Sequence, residues 1–181
     1  MHGPPAQKDL VSVVIPAYRE AENLPLMLAE LRDVLGRVGH PWEVVVADDG
    51  SPDGSADLLL AESRKDPRVK PVLLAERAGQ SAALAAGLLR AGGETIVTMD
   101  ADLQNDPADI PRLLEALARA DVVSGIRRVR NDTWVRRASS RIANTVRRTM
   151  LGDPVTDIGC SLKAYRREAL EAMPLFAGAH R

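Results

Sequence analysis

A chain of 181 residues, 45% hydrophobic and 27% charged, is one domain's worth of sequence with enough apolar side chain for a core, which excludes whole-chain disorder. Only 3% of the residues are aromatic, so Leu, Val, Ala and Ile must build that core, and the single Cys160 excludes an intramolecular disulfide and suits a reducing compartment. The net charge of −1 hides an asymmetry: Met1–Asp106 holds 10 Lys/Arg against 17 Asp/Glu and Pro107–Arg181 holds 14 against 8, an acidic half suited to a cation and a basic half suited to anions.

Residues 1–9 are polar, carry Gly3-Pro4-Pro5 and lack the apolar stretch of a signal peptide, so they read as a flexible N-terminal tail. Residues 10–181 read as a single domain. No apolar run approaches the ~18 residues of a membrane-spanning helix, and the expected location is cytoplasmic. Val11–Ile15, short, β-branched and ended by Pro16, predicts a buried strand. Glu20–Arg37 predicts a helix, with Leu24, Met27, Leu28, Leu31 and Leu35 on one face and Pro25 in the first turn. Trp42–Ala47 predicts a second strand, ended by the turn signal Asp48-Asp49-Gly50-Ser51. A helix over Ser55–Lys65, a strand over Val69–Leu74 and a helix over Gly79–Ala91 closed by Gly92-Gly93 follow. Thr95–Met99 is the fourth strand and runs into Asp100.

Four strand-then-helix units imply an α/β fold with a mostly parallel, Rossmann-like sheet and helices on both faces. The second half is less regular. Pro107–Arg119 predicts a helix, Asp121–Gly125 a strand, Trp134–Leu151 an arginine-dense helix and Ser161–Tyr165 a last short strand.

In such sheets ligands bind beyond the carboxyl ends of the strands. Pro16-Ala17-Tyr18, Asp48-Asp49 and Asp100/Asp102 all stand just past predicted strand ends. They should converge on one edge. In extended backbone Asp100 and Asp102 point the same way, and with the Gln104 amide they form an all-oxygen set that suits Mg²⁺ or Mn²⁺. The segment alone reads equally as a turn that ends a strand. No G-x-G-x-x-G follows the first strand and no G-x-x-x-x-G-K-[ST] occurs, so dinucleotide oxidoreductases and P-loop nucleotidases are disfavoured. A receiver domain needs a lysine at a later strand end, and none is in place.

The order Val13-Val14-Ile15-Pro16-Ala17-Tyr18-x-Glu20, then Val44-Val45-Val46-x-Asp48-Asp49-Gly50-Ser51-x-Asp53, then Asp100-Ala101-Asp102-Leu103-Gln104, resembles the family 2 glycosyltransferases of the nucleotide-diphospho-sugar transferase (GT-A) fold. Within them it is most similar to the polyprenyl-phosphate sugar transferases of the dolichol-phosphate mannose synthase type, from about Leu10 to about Leu170. The resemblance implies a donor half over about 10–106 and an acceptor half over about 107–181, with a C-terminus shorter than is usual in the family. It implies that Pro16, Tyr18 and Glu20 contact the base and ribose of a GDP-mannose or UDP-hexose donor. Asp48 contacts the nucleobase, Asp100 lies near ribose and phosphates, and Asp102 and Gln104 ligate the metal. Arg77-Ala78-Gly79-Gln80-Ser81 corresponds to a loop bordering the nucleotide.

Arg127, Arg128, Arg130, Arg136, Arg137, Arg141, Arg147 and Arg148 have Asp132 as the only acid among them. The bland reading is a solvated helix face. No nucleic-acid motif or aromatic stacking set accompanies them, so phosphate recognition fits better than nucleic acid. The resemblance assigns Arg127 and Arg137, or Arg136 in place of Arg137, to the lipid phosphate and donor diphosphate, and the other arginines could meet anionic headgroups, which implies a chain peripheral at the cytoplasmic face of a membrane. It places Asp157 near the acceptor. That Asp would be a general base toward an alcohol, but a phosphate acceptor is already an anion and needs none. Cys160 has no histidine beside it and reads as a small core residue. The implied activity is inverting sugar transfer to a polyprenyl phosphate. The alternatives are a nucleotide-sugar-binding module that works with a partner membrane subunit, and a transferase acting on a glycan or protein.

Overall fold

A computed structural model describes residues 7–125 and 160–172. Arg127, Arg137, Asp157 and the helix expected over 134–151 lie outside the described residues.

Strand β1 runs Gln7–Ala17, helix α1 Leu24–Leu35, β2 Trp42–Asp48, α2 Ser55–Lys65, β3 Val69–Leu73, α3 Gln80–Arg90 and β4 Gly93–Thr98. A 3₁₀ turn over Pro107–Asp109 leads into α4, Ile110–Leu117, and then β5 over Val122–Ser124. The last elements are β6, Lys163–Arg166, and α5, Arg167–Glu171. The six strands form one sheet in the order β3-β2-β1-β4-β6-β5. The pairs among β1, β2, β3 and β4 are parallel. β6 runs antiparallel to both β4 and β5. The sheet is thus mostly parallel, as the strand–helix alternation implies.

Alternate residues of each strand feed two cores. Val13, Ile15, Val44, Val46 and Val97 pack on one face with Leu24, Leu28 and Leu31 of α1, Leu59 of α2 and Ile110 and Leu113 of α4. Val14, Val45 and Ile96 pack on the other face against Leu88 and Leu84 of α3 and Leu170 of α5. Burial on both faces explains why these strands read as continuous apolar runs rather than as alternating ones.

Several boundaries differ from the sequence reading, each for a local reason. β1 starts at Gln7, inside the stretch read as a tail, because Gln7 N donates to Gly92 O at 2.7 Å and Gln7 pairs with Gly93 before a register shift. α1 starts at Leu24, not Glu20, because Arg19 adopts φ 60° and Glu20 O is taken by Asn23 N and Leu24 N at the helix mouth. The Gly92-Gly93 pair does not close α3 with a left-handed residue. Instead Gly92 N donates to Glu43 Oε1 at 2.6 Å and Gly93 N to Ser12 Oγ at 2.8 Å, so the pair serves a buried polar cluster. β6 is offset from Ser161–Tyr165 because Ser161 is committed elsewhere: its carbonyl accepts from Thr98 Oγ1 at 3.0 Å and its hydroxyl from Asn105 Nδ2 at 2.7 Å.

Away from the carboxyl edge, Arg32 ties α1 to the end of α2 through Glu62 at 2.7 Å and Asp66 at 3.2 Å. Hydrogen bonds from Arg68 and Arg32 outweigh burial and hold the Asp66 carboxyl at about 2.

Candidate active site

The chain reverses its strand order between β1 and β4, where a parallel sheet opens a crevice at its carboxyl edge. A cleft of about 330 Å³ lies there, lined by Pro16, Ala17, Tyr18, Glu20, Asp49, Arg77, Gln80, Ala83, Asp100, Ala101 and Asp102. Five residues expected at the site from sequence, Pro16, Tyr18, Glu20, Asp100 and Asp102, therefore meet in one concavity. Pro16 lies in the last residues of β1, and the other four sit one to four residues past their strands, so the sheet itself fixes their spacing.

Asp48 ends β2 and is 1% exposed. Its Oδ2 accepts from Ser51 N at 3.1 Å, while Oδ1 has no hydrogen-bond partner among the described residues. A buried carboxylate oxygen without a protein donor is costly, and such groups occur where a ligand supplies the missing N–H. Asp49 points the other way. Its carboxylate accepts from Ala78 N at 2.7 Å and from Gly79 N at 2.9 Å, so it holds the loop before α3.

The loop after β1 is held by the loop after β2. Arg19 N donates to Ser51 Oγ at 2.8 Å and Ala21 N to Asp53 Oδ2 at 3.1 Å. Burial pushes the Asp53 carboxyl up, but hydrogen bonds from Ser55 Oγ, Ala21 N and Ser55 N outweigh it, and the net shift is downward. Ser51 and Asp53 therefore support Tyr18 and Glu20 rather than facing the cleft. The sequence offered only their place directly past a strand end as a signal. The Glu20 carboxylate accepts from Asn23 Nδ2 at 2.7 Å. Arg77 lies over the Tyr18 ring, its guanidinium carbon 4.3 Å from the centroid.

Gln80 Nε2 donates to Asp100 Oδ1 at 2.9 Å, and Asp102 Oδ1 accepts from Gln104 N at 3.1 Å. Gln104 does not line the cleft. It lines a neighbouring groove with Leu26, Leu103 and Asp106. Leu103 between them has φ 57°, a left-handed conformation that costs a branched L-residue roughly 1–2 kcal/mol. Asparagine tolerates this region better, so Leu103→Asn is expected to raise stability by about 0.5–1 kcal/mol. A lowered melting temperature would show instead that the partly exposed Leu103 side chain contributes more than its backbone costs.

Asn105 joins this loop to the far end of the chain through Ser161, and Cys160 is buried beside it as a core residue. Gly125 N donates to Leu162 O at 2.9 Å. The two described ends, Gly125 and Cys160, thus stand together at the carboxyl edge of β4, with Arg127 two residues beyond one and Asp157 three before the other. Among the described residues no group of three His, Cys, Asp or Glu side chains is gathered tightly enough to hold a metal alone, and no helix is long and apolar enough to cross a membrane.

A mostly parallel sheet with helices on both faces and carboxylates at the β1/β4 crevice defines a nucleotide-diphospho-sugar transferase (GT-A) fold. The model of glycosyl transferase family 2 matches residues 12–173, and the chain belongs to that family. It is 43% identical over 166 residues to an undecaprenyl-phosphate 4-deoxy-4-formamido-L-arabinose transferase of Pectobacterium carotovorum, covering 90% of this chain and 50% of the relative. A protein of the same description from Pseudomonas aeruginosa is 45% identical over 167 residues, covering 91% and 49%. The chain spans about half the length of these curated relatives. Among solved structures, a mannosyltransferase of Pyrobaculum calidifontis in complex with GDP-Man and Mn²⁺ matches with TM-score 0.64 and 28% identity, covering 98% of this chain and 51% of that one. Glucosyl-3-phosphoglycerate synthase of Mycobacterium tuberculosis with Mn²⁺, UDP and phosphoglyceric acid matches with TM-score 0.72 and 20% identity, covering 92% and 58%.

Proposed function

We propose that this chain carries the donor site and reacting groups of a metal-dependent, inverting transferase that moves a sugar from a nucleotide diphospho-sugar to undecaprenyl or a related polyprenyl phosphate. The observation that carries the donor part is the meeting of Asp100 and Asp102 with Pro16, Tyr18 and Glu20 in one cleft at the strand-order switch. The solved neighbours that hold GDP-Man or UDP together with Mn²⁺ support this donor class and a divalent cation. The relatives named for undecaprenyl phosphate support the acceptor.

The donor set suits Mg²⁺ or Mn²⁺: two cleft carboxylates two residues apart offer hard oxygens, and such cations usually take one or two carboxylates plus substrate phosphates. The fit is therefore to a cation that arrives with the diphosphate. Gln104, two residues on from Asp102, would be the further oxygen ligand. When bound, the cation neutralises charge that gathers on the departing nucleoside diphosphate. Tyr18 and Glu20 hold base and ribose, and Asp48 Oδ1, without a partner among the described residues, accepts an N–H of the base. Arg127 and Arg137 grip phosphate oxygens of acceptor and donor. The acceptor oxygen attacks the anomeric carbon from the face opposite the leaving group. Asp157 orients the acceptor and abstracts no proton from it, because a phosphate is already ionised. The other arginines between Arg128 and Arg148 meet anionic headgroups, which keeps the chain peripheral at the cytoplasmic face.

The test is product formation from UDP- and GDP-sugars with undecaprenyl phosphate and Mn²⁺. Nucleotide binding without turnover would favour a donor-binding module that needs a partner subunit, a reading consistent with the half-length match to the relatives. Acceptor class is tested separately. With a phosphate acceptor, Asp157→Asn should lower transfer by less than about tenfold, whereas loss of a general base toward a hydroxyl costs roughly 100- to 10,000-fold. A loss in the larger range would point to a glycan or protein acceptor.

A further inference from the structure

Arg77 reaches the cleft from the loop before α3, and Gln80 from the first residue of α3. α3 begins after Gly79, which has no side chain to cap it. The loop just before the helix is held from the end of β2: Asp49, one residue past the strand and 3% exposed, accepts Ala78 N and Gly79 N at 2.7–3.0 Å. The backbone of Asp49 is fixed in turn, since its N–H donates to Ala17 O at 2.8 Å. Gly50 makes a second contact with the same loop. A Cβ there would lie 2.7 Å from the carbonyl carbon of Glu76 and 2.9 Å from Arg77 N, and Gly50 has φ 65°. Backbone therefore packs directly on backbone at Gly50, one residue from the Asp49 clamp. The outcome of this two-point dock is that Arg77 stands over Tyr18 while Gln80 donates to Asp100 Oδ1.

We infer that Asp49, with Gly50, is a positioning residue of the donor site, which sets Arg77 against Tyr18 on the nucleoside side and Gln80 against Asp100 on the phosphate side. Although it borders the cleft, its carboxylate is committed to the loop before α3, so it acts on the donor through Arg77 and Gln80 and couples the two sides of the cleft. Three features favour this role over simple helix capping. Asp49 accepts from Ala78 N and Gly79 N, which precede the helix, and not from the N–H groups of the first helical turn that a cap would satisfy, and it does so from 29 and 30 residues upstream. The loop it holds supplies the one cation among the described residues lining the cleft. Among the described residues, the Asp49 carboxylate accepts from backbone N–H groups of that loop. The inference rests on the donor-site reading above.

The test is calorimetric titration of the 181-residue chain with UDP and with GDP, each with Mn²⁺. Asp49→Asn, which replaces an acceptor oxygen by an N–H₂ facing N–H groups, should weaken binding of the preferred nucleotide by roughly tenfold or more, as small misplacements of a preorganised site do. Gln80→Ala should weaken it less, and the double variant should be no worse than Asp49→Asn alone, because both act through one loop. Gly79→Ala strains the same loop with Asp49 intact (φ 96°) and should reproduce the loss, which also serves if Asp49→Asn does not fold. Additive losses would overturn the proposal in favour of a direct Asp49 contact. Unchanged nucleotide affinity in a destabilised Asp49→Asn or in Gly79→Ala would overturn it in favour of a purely structural cap. A wild-type chain that binds neither nucleotide overturns the donor reading itself, an outcome distinct from normal binding by wild type and variants alike.

Discussion

Asp102→Ala lowers Mn²⁺-dependent sugar transfer by roughly 100- to 1,000-fold while leaving the fold intact, because a carboxylate that helps neutralise a leaving group acts mainly in the transition state. The structural cost is small. Asp102 accepts one backbone hydrogen bond, from Gln104 N in an exposed turn, so its loss costs about 0.5–1 kcal/mol. The expected signature is a large fall in kcat with a nearly unchanged melting temperature, and a loss of the stabilisation that Mn²⁺ with nucleoside diphosphate confers on the wild type. Asp102→Ala with full metal-dependent turnover would refute the assignment of Asp102 and the metal-dependent mechanism with it.

The largest expected stability effect lies at the opposite edge of the sheet. Glu43 is 2% exposed, and its carboxylate accepts from Ser12 Oγ at 2.6 Å, from Gly92 N at 2.6 Å and from Lys70 Nζ. Glu43→Ala leaves three donors without an acceptor near the start of β1, β3 and β4, one of them the Lys70 ammonium. Lys70 is 30% exposed and can turn to water, so the cost is mainly that of the unsatisfied Ser12 and Gly92 donors, about 2–4 kcal/mol, and the melting temperature should fall by roughly 10 °C. Burial pushes the Glu43 carboxyl up, but the hydrogen bonds from Gly92, Lys70 and Ser12 outweigh it and the net shift is below the ordinary 4.5. A depressed folded pKa means that the stabilisation is complete above 4.5 and is lost as pH falls through the lower, folded value. Glu43→Gln should therefore flatten the acid end of the stability profile. Denaturant titration from pH 7 down to pH 3 measures both effects. Wild-type stability in Glu43→Ala at pH 7 would mean that the cluster contributes nothing net. Nucleotide affinity of the folded variant should be unchanged, which separates this edge from the donor edge.

Much of the fold was legible because the first four strands are buried on both faces. Apolar β-branched runs such as Val44-Val45-Val46 have no other stable setting, and each is followed by a helical pattern with one apolar face. The donor edge was legible for the same reason. In a parallel sheet all strands end on one side, so Tyr18, Asp49 and Asp100 had to approach one another wherever the helices lay. The α2 boundaries were readable to the residue, since Asp53 and Gly54 precede Ser55 and Pro67 follows Lys65. Less could be read of the second half. β6 inserts between β4 and β5 and runs against both, an arrangement set by pairing between residues far apart in sequence, for which a four-residue strand carries no periodicity.

The sequence by itself determined the class of sheet and the edge at which its carboxylates collect, because burial patterns and strand-end positions are local properties, and the order of its motifs carried the resemblance to the family. Only the tertiary structure decided what each polar residue past a strand end does. Asp48 and Asp49 are adjacent and chemically identical, yet one keeps an oxygen without a partner among the described residues and the other spends its carboxylate on a loop some 30 residues downstream. Asp102 lines the cleft and Gln104, two residues on, does not, because the left-handed turn at Leu103 reverses the direction of the chain. These outcomes depend on where a distant backbone N–H or carbonyl comes to rest, and that is fixed by packing of the whole sheet rather than by the residues themselves.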